Sequence, residues 1–538
     1  MRHTRHTAFL LISALAFVLA QHFPAAVAPA GAAKNVIICI ADGGGFGAVH
    51  AASYYQYGRL GCQPYDQPGW MQYAARTISL NLMNRDTSGS NTALTPAFEP
   101  PDVWDTRIET AITMSMAAGL PFKGYSLLKK SPTDSAAAGT AMSTGVSTWN
   151  GRVNYLEDPD GGESPAIGRT IAEIARASGR ATGVITSVQW TDATPACFGG
   201  AHSIARGSRR DIANEMLNSD TLDLIMGIGH PEYDRNGAPR QPSRESDYDL
   251  VGGSFTWALL KSGTHAGGWK LIEAKSDFEA LIYRPLRRRI LGVPRVAGSL
   301  QHNRQTRDWN GDGRVDSADT KVSPPFGDPF IPTVPSLVTM TRAALSVLST
   351  NPKGFYLMIE GGAVDHAAHS NEPGRLIEEM IDFNNSVQAV VDWVNRYSNW
   401  EETLVIVTAD HETGLVWGLN SDKAAFERII SRGRGKPVGL WFNSGGHTNS
   451  LVPLRARGCG AGEFARYVLG RDPVYGQYVP NTAIFEVMRS AMSGGRSDFG
   501  SAASPGISPW NTAPAPGPPR KSVRNAGPSP DYTSSKDE

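Results

Sequence analysis

The stretch NVIICIAD, from Asn35 to Asp42, is a continuous apolar run that ends in a carboxylate. Three later runs have the same form: ATGVITSVQWTD ends in Asp192, GFYLMIE in Glu360 and TLVIVTAD in Asp410. Apolar runs rich in Val and Ile are typical of strands buried on both faces, as in a parallel sheet covered by helices. We therefore predict an α/β fold: a large, mainly parallel sheet with helices on both faces, a three-layer sandwich.

Segments with helical patterning lie between these runs. AIGRTIAEIARASG ends in a glycine of the kind that closes helices, SLVTMTRAALSVLS precedes the GFYLMIE run, and Arg375 to Arg396 carries apolar residues at helical spacing. Ligands of open α/β sheets bind at the carboxyl ends of the strands. We expect the four terminal carboxylates to meet there in one site.

The overall charge excludes some partners. The chain has 538 residues, 41% hydrophobic residues and a formal net charge of +0. This balance gives no electrostatic reason to expect nucleic acid or an anionic membrane as a partner. No run after the first 33 residues is long and apolar enough to span a bilayer.

The ends of the chain differ from its centre. Basic residues at positions 2 and 5 precede an apolar run over 8–20 and then small residues, so we predict a signal peptide over 1–33 and export to the periplasm or beyond. The main domain is predicted over 34–492, with an insertion over about 234–325 where periodic patterning weakens. The Pro-, Ser- and Gly-rich stretch 493–538 is predicted to be a flexible tail.

The stretch SPTDSAAAGTAMSTG begins a predicted helix, with Gly145 at its end. Thr133 or Asp134 is expected to cap the helix. Ser135 has two interpretations: it is one more hydroxyl in the cap, or it is a nucleophile at the positive end of the helix dipole.

Carboxylate and imidazole side chains recur in three further motifs: EGGAVDHAAH, VTADHETG and GGHTNS. Two of them, Asp365 and His369, are four residues apart and would share one face of a helical turn. Together with the first strand end, the set is large enough for two zinc ions, and the oxygens of Glu360 and Thr194 suit magnesium. The full set is Asp42, Asp365, His366, His369, Asp410, His411 and His447.

These motifs, in this order, resemble those of the alkaline phosphatase family from Asn35 to Arg457. The matching stretches are NVIICIADGGGFG, TDSAAAGTAMSTGVSTWNG, DATPACFGGAH, IMGIGHPEYD, GFYLMIEGGAVDHAAH, TLVIVTADHETG and GHTNSLVP. The resemblance implies hydrolysis of phosphate monoesters through a phosphoserine at alkaline pH, with two Zn²⁺ and one Mg²⁺. It also implies that Ser135 is the nucleophile.

The resemblance further implies a role for each ligand. Asp42, Asp410 and His411 would bind the zinc that activates the serine, and Asp42 would also bridge to magnesium. Asp365, His369 and His447 would bind the second zinc. Glu360 and Thr194 would bind magnesium directly, and Asp192 through water.

Two assignments are less direct. Arg206, in AHSIARGSRR, is our choice for the arginine that binds phosphate, but Arg209 and Arg210 are close alternatives. His366 stands where members of the family differ, as a neighbour of phosphate or metal. Whether the chain forms a homodimer is left open.

The stretch DWNGDGRVDSAD has the spacing of an EF-hand calcium loop, as in dockerin-type loops. Gly313 stands at position six, where the loop turns sharply. A polar surface turn is the alternative interpretation, but the filled positions favour one Ca²⁺ in a stabilising role. The predicted ligands are Asp308, Asn310, Asp312, Arg314 (through its carbonyl), Asp316 and Asp319.

Three other functions compete with a phosphomonoesterase. A phosphodiesterase of the same superfamily would typically use Thr as nucleophile and lack the third metal site, whereas Ser135, Thr194 and Glu360 are all present. A sulfatase needs an arginine that CQPYD at Cys62 lacks. A secreted protein that binds metal or phosphate without turnover is the alternative outside the enzymes.

Overall fold

The computed structural model describes residues 31–85, 94–108, 122–158 and 162–494. Nearly all of the predicted signal peptide and tail lie outside these residues, so both stay predictions. Within the described ranges, no helix has both the length and the apolar character needed to cross a membrane.

The strands and helices alternate along most of the chain. The strands are β1 (Asn35–Ile40), β2 (Met71–Arg76), β3 (Met83–Arg85), β4 (Leu94–Pro96), β5 (Tyr155–Glu157), β6 (Glu163–Pro165), β7 (Ala181–Gln189), β8 (Leu224–Ile228), β9 (Lys270–Ile272), β10 (Ile290–Gly292), β11 (Phe355–Glu360), β12 (Thr403–Thr408), β13 (Glu412–Thr413), β14 (Val416–Gly418), β15 (Leu440–Phe442), β16 (His447–Thr448), β17 (Val452–Gly458), β18 (Gly470–Asp472) and β19 (Gly476–Pro480). The helices are α1 (Phe46–Tyr57), α2 (Lys123–Leu128), α3 (Ser135–Thr144), α4 (Ile171–Ala177), α5 (Ala193–Phe198), α6 (Arg209–Asn218), α7 (Ser254–Ser262), α8 (Lys275–Tyr283), α9 (Ser317–Val322), α10 (Leu337–Leu348), α11 (Ala363–His369), α12 (Pro373–Tyr397) and α13 (Thr482–Ser493).

Eleven strands in the described residues form one sheet, in the order β18-β19-β2-β17-β12-β1-β11-β7-β8-β10-β9. The neighbours from β12 to β9 all pair in parallel, while β17 runs antiparallel to both β12 and β2. A large, mostly parallel sheet is thus the core of the protein, and the predicted fold class is confirmed.

The central strand β1 is buried on both faces. Val36, Ile38 and Ile40 pack into one apolar layer together with residues of α3, α4 and α13. Ile37 and Cys39 pack into the opposite layer with residues of α1, α10 and α12. Because successive side chains of a strand point to opposite faces, a continuous apolar run is the pattern that two covering layers require.

Helix α3 has a capping residue at each end, and each is a residue type that favours its position. The Asp134 carboxylate accepts a hydrogen bond from the Ala137 amide at 2.9 Å, so this residue, and not Thr133, caps the helix. Gly145 then adopts a left-handed conformation with φ of 77°, which glycine takes without strain. Ser135 is therefore the first residue of the helix.

The segment 234–325 contributes to the main sheet. Its short strands β9 and β10 extend the edge beyond β8. Residues 83–85 and 94–97 form a separate small unit in which β3 pairs antiparallel with β4. The domain limits 34–492 and the description of 234–325 as an insertion stay predictions.

Buried ion pairs connect the segment 304–328, which precedes α10, to the long helix α12. Arg375 of α12 lies 2.7 Å from a carboxylate oxygen of Asp328, and Arg304 lies 2.8 Å from one of Glu378. All four side chains are almost completely buried. Removing one partner would leave a buried charge uncompensated, so these pairs fix where the segment runs.

Candidate active site

Three neighbouring strands of the sheet end at the same level. Ile40 of β1 pairs with Glu360 of β11 on one side and with Thr408 of β12 on the other. Asp42 and Asp410 each follow two residues beyond these positions, so the register of the sheet places them side by side. The predicted meeting of terminal carboxylates follows directly from the parallel pairing.

Gly43 allows a close approach between this edge and helix α11. Its φ is +67°, and a Cβ built there would lie 2.8 Å from Oδ1 of Asp365. Its amide donates to Oδ1 of Asp410 at 3.1 Å. A side chain at position 43 would push the carboxylates apart, so glycine is required here by both conformation and space.

The first group of metal-ligating side chains consists of Asp42, Asp410 and His411, all buried. Nε2 of His411 lies 3.5 Å from Oδ1 of Asp42 and 3.2 Å from Oδ2 of Asp410. Both of these carboxylate oxygens are buried and lack a hydrogen-bond donor among the described residues. Buried carboxylate oxygens without donors fit a site that is completed by a cation.

The second group consists of Asp365, His369 and His447. Nε2 of His369 lies 3.3 Å and Nε2 of His447 3.6 Å from the Asp365 carboxylate. On the far side of each ring, Nδ1 lies within hydrogen-bond distance of a carbonyl oxygen, that of Gly445 at 2.8 Å and that of Thr133 at 2.9 Å. In its neutral form each ring carries the proton on Nδ1 and offers the lone pair of Nε2, which is the tautomer that a metal ligand needs. Without a cation, burial would lower the pKa of His369, but its hydrogen bond to Asp365 and the charge of that carboxylate raise it to about 9, so a proton then occupies Nε2.

A third set of oxygens lies beside the first group. Oε2 of Glu360 and Oγ1 of Thr194 are buried without a hydrogen-bond partner among the described residues. Asp192, just before α5, is partly buried, and its charge acts on the Glu360 carboxyl. An all-oxygen set of this kind suits a hard cation such as Mg²⁺.

The carboxylates perturb one another strongly. Burial and then the charges of Asp410, Asp365 and Glu360 raise the pKa of Asp42 well above its usual value. Burial, followed by nearby carboxylates, raises the pKa of Asp410 to about 7 and that of Glu360 to about 8. Burial would also raise the pKa of Asp365, but the hydrogen bond and the charge of His369 hold it well below its usual value. The carboxylates of the two groups together carry more negative charge than the neighbouring cationic side chains neutralise, as expected of a metal site.

Ser135 lies at the edge of the first group. Its Oγ is 3.1 Å from Nε2 of His411, and the residue is 3% exposed. As the first residue of α3, it stands where the free amides of the helix end favour an anion. The structure therefore brings a hydroxyl, a positive helix end and two metal-ligating groups to one place.

The three candidate arginines have different surroundings. Arg206 lies between Asp134, at 3.1 Å, and Asp192, at 3.0 Å. Arg209 also pairs with Asp192, at 2.9 Å, but donates as well to the Thr191 carbonyl.

Arg210 points elsewhere, to Asp249 at 2.6 Å and to Glu245. Arg206 is thus the arginine tied to the carboxylate that directly precedes Ser135.

His366, on α11, lies beside the third set of oxygens. Burial and then the neighbouring His302 lower its pKa, whereas the charges of Asp365 and Asp192 oppose this shift. The lowered pKa favours the neutral form of the imidazole, although two carboxylates lie nearby. Its position agrees with a neighbour of phosphate or metal, a role that stays a prediction.

The predicted calcium loop is a compact turn of exposed residues. The Asp308 carboxylate accepts from the Gly311 amide at 2.7 Å and from the Gly313 amide at 3.0 Å. The one buried side chain, Asp319, accepts from the Trp309 amide at 2.7 Å. The loop is not among the described carboxylate and imidazole groups gathered within 4.8 Å of one another. Its backbone holds the side chains in place, and calcium binding stays a prediction.

One further group was missed by the sequence analysis. His230, Glu232 and Glu273 come together at the far edge of the sheet. The Lys261 ammonium lies 3.4 Å from Glu232 and 3.1 Å from Glu273, and Nε2 of His230 lies 2.7 Å from Glu273. These carboxylates already have a cation, so the group is a charge network rather than a metal site.

A mostly parallel sheet that presents two candidate metal-binding groups and a helix-end serine at its carboxyl edge is the arrangement of a metal-dependent α/β enzyme. A model of the alkaline phosphatase family matches residues 117–434. This chain belongs to the alkaline phosphatase family.

Individual relatives agree with this family. Alkaline phosphatase 3 of Bacillus subtilis is 30% identical over 287 residues, which cover 52% of this chain and 49% of that protein. Alkaline phosphatase of Escherichia coli is 27% identical over 406 residues, which cover 66% of this chain and 78% of that protein. The chain thus spans about half the length of the Bacillus relative.

A solved structure supports the fold. The crystal structure of Thermus thermophilus alkaline phosphatase aligns with a TM-score of 0.53 at 20% sequence identity, covering 87% of this chain and 92% of that one. At this identity the likeness concerns the architecture of the chain.

Proposed function

We propose that this protein hydrolyses phosphate monoesters to an alcohol and inorganic phosphate, with Ser135 as the nucleophile. The observation that carries the proposal is the 3.1 Å distance between Oγ of Ser135 and Nε2 of His411, at the amino end of α3. A helix-end hydroxyl beside a ligand group is placed for attack on a phosphoryl group that the helix amides also bind.

The ligands are divided among three ions. Asp42, Asp410 and His411 would hold one Zn²⁺, and Asp365, His369 and His447 would hold the second. Glu360 and Thr194 would hold Mg²⁺, with Asp42 and, through water, Asp192 as further ligands. When bound, such ions lower the pKa of a coordinated hydroxyl and neutralise the charge that develops on the attacking and leaving oxygens.

The protein residues then carry out two displacements. Oγ of Ser135 loses its proton to solvent and bonds to phosphorus while the bond to the alcohol oxygen breaks, and the departing oxygen takes up a proton. Water next attacks the phosphoserine, which releases inorganic phosphate and restores the hydroxyl. Arg206 donates two N–H groups to the phosphoryl oxygens in both steps, because its guanidinium fork matches their geometry.

The pKa values support a preference for alkaline conditions. The carboxyl groups of Asp410 and Glu360, with pKa values of about 7 and about 8 in the metal-free site, must lose their protons to bind cations. A rising pH therefore favours the loaded site.

The first experiment measures release of a chromogenic alcohol from a phosphate monoester by protein loaded with zinc and magnesium. Ser135→Ala abolishes turnover, and so does a chelator. Ser143→Ala is the matched control, because this serine lies on the same helix but bonds to Asn154. Absence of turnover in the loaded wild type would favour a metal- or phosphate-binding protein, and faster release from a diester would favour a phosphodiesterase.

We also propose that residues 308–319 bind one Ca²⁺ that stabilises the fold. Calcium should raise the thermal unfolding temperature of the wild type but not of Asp308→Ala, because a ligand that binds only the folded chain shifts unfolding. Asp220→Ala, which alters an exposed aspartate elsewhere, should keep the calcium response. An equal response in all three proteins would reject this site.

Export by the predicted signal peptide completes the proposal. Isolating the mature protein from outside the cytoplasm and sequencing its amino terminus tests export. Sedimentation of the same sample determines whether it is a homodimer.

A further inference from the structure

His302 lies next to the candidate active site, although no sequence motif places it there. It lies in the segment between β10 and α9, and it is 7% exposed. Its ring packs edge to face against that of His366, with 6.0 Å between the ring centroids and 62° between the planes. His302 is thus the neighbour of a residue that already stands beside Asp192 and Asp365.

Glu372 holds the other side of the His302 ring. Its Oε2 lies 2.9 Å from Nε2 of His302, and its Oε1 accepts from the Thr320 hydroxyl at 2.5 Å. The amide of Glu372 donates to the carbonyl of Ala367 in α11 at 3.0 Å. The carboxylate is therefore fixed from both sides, and it fixes the imidazole in turn.

This pairing determines the tautomer of His302. A hydrogen bond to a carboxylate places the proton of the neutral ring on Nε2, which leaves Nδ1 as an acceptor. Nδ1 is buried and has no donor among the described residues. A buried acceptor without a donor is costly. The ring packed edge to face against His302 is that of His366.

We propose that His302, oriented by Glu372, is a positioning residue that fixes the orientation of His366 beside the transferred phosphoryl group. The arrangement matches the way in which outer carboxylates and imidazoles orient the inner residues of active sites. The proposal rests on the proposed phosphomonoesterase function, but its test includes a binding measurement that needs no turnover.

The experiment is a double-mutant cycle on the loaded protein. His302→Gln should lower kcat/KM for a chromogenic phosphate monoester about tenfold and weaken the binding of inorganic phosphate, measured by calorimetry, to a similar extent. In a His366→Ala background, His302→Gln should change neither quantity by more than about twofold, because its effect passes through His366. Glu372→Gln, the more conservative change, should behave in the same way.

His230→Gln is the matched control. His230 is also buried and pairs with Glu273 at 2.7 Å, so this variant shows what the loss of a buried His–Glu pair costs away from the site. It should lower the unfolding temperature but leave kcat/KM and phosphate binding unchanged.

Two results would overturn the proposal: no change in phosphate binding on His302→Gln, or an equal loss with and without His366. A wild type that binds phosphate but does not turn over would instead count against the proposed function, and the calorimetric cycle would still decide the role of His302.

Discussion

Nε2 of His369 and Nε2 of His447 lie 3.0 Å apart, nitrogen facing nitrogen. Each ring has its other nitrogen directed at a carbonyl oxygen, so in the neutral rings the two facing nitrogens are both lone-pair sites. Two lone pairs at this distance repel each other unless a proton or a metal ion lies between them. The pair is therefore arranged for a shared cation, with Asp365 beside it.

Removing one of these imidazoles should remove one ion. His447→Ala should reduce bound zinc from about two to about one per chain and lower kcat/KM by more than about 100-fold, because an incomplete ligand set binds weakly. Elemental analysis of the purified protein measures the first effect. His265→Gln, which changes a histidine bonded to the Gly267 amide, should keep both ions. Unchanged zinc content in His447→Ala would contradict the assignment of the second group.

The metal-free protein should become less stable as the pH rises. Asp410 and Glu360 have raised pKa values of about 7 and about 8 in the fold. A carboxyl group whose pKa is higher in the folded chain than in the unfolded chain stabilises the fold fully below the unfolded value, and this contribution is lost as pH rises through the folded value.

The lowered pKa values of His366, His411 and His447 add stability up to about pH 6.5, so the unfolding temperature of chelator-treated protein should fall between about pH 6.5 and pH 8. The loaded protein should lose less over this range, because bound cations take the place of the protons. Asp410→Asn should flatten the slope of the metal-free protein. A metal-free protein that gains stability toward pH 8 would disprove the predicted titration.

Substitutions of Arg206 and of Arg210 should have different effects on the affinity for phosphate. Arg206→Ala should weaken the binding of inorganic phosphate about 10- to 100-fold, since two charge-assisted hydrogen bonds are lost. Arg210→Ala should have no effect, because that guanidinium is directed to Asp249. Titration calorimetry on both variants tests the choice, and the reverse order of effects would assign the phosphate to Arg210.

Gly43→Ala should damage the site more than an equivalent change elsewhere. Gly43 and Gly61 both have positive φ, +67° and +78°, but only Gly43 has neighbours that a Cβ would meet. Both substitutions should lose about 1 kcal/mol of unfolding free energy from backbone strain. Gly43→Ala should lose about 2 kcal/mol more and also bind less zinc, because the added carbon displaces Asp365. Equal losses in both variants would show that the contact with Asp365 is not needed.

The strand ends could be predicted from the sequence. A continuous apolar run indicates a strand buried on both faces, and the carboxylate that follows it marks where the strand ends. Pairs that depend on packing could not. His302 and Glu372 are 70 residues apart in the sequence and meet only through the hydrogen bond between them. Short strands such as β9 and β10, of three residues each, are too brief for a periodic pattern. The charge network at Lys261 joins residues from separate elements, so no local motif announces it.

The position of β1 has a consequence for the order of folding. Val36 pairs with Tyr356 on one side and with Leu404 on the other. Strand β1, the first of the described strands, therefore cannot pair until two strands that are synthesised much later are present. Such non-local pairing implies slow folding with an exposed apolar strand in the meantime. A nascent chain that lacks His447 cannot assemble the reaction centre, so catalytic activity would report that synthesis has passed this residue and that the chain has folded.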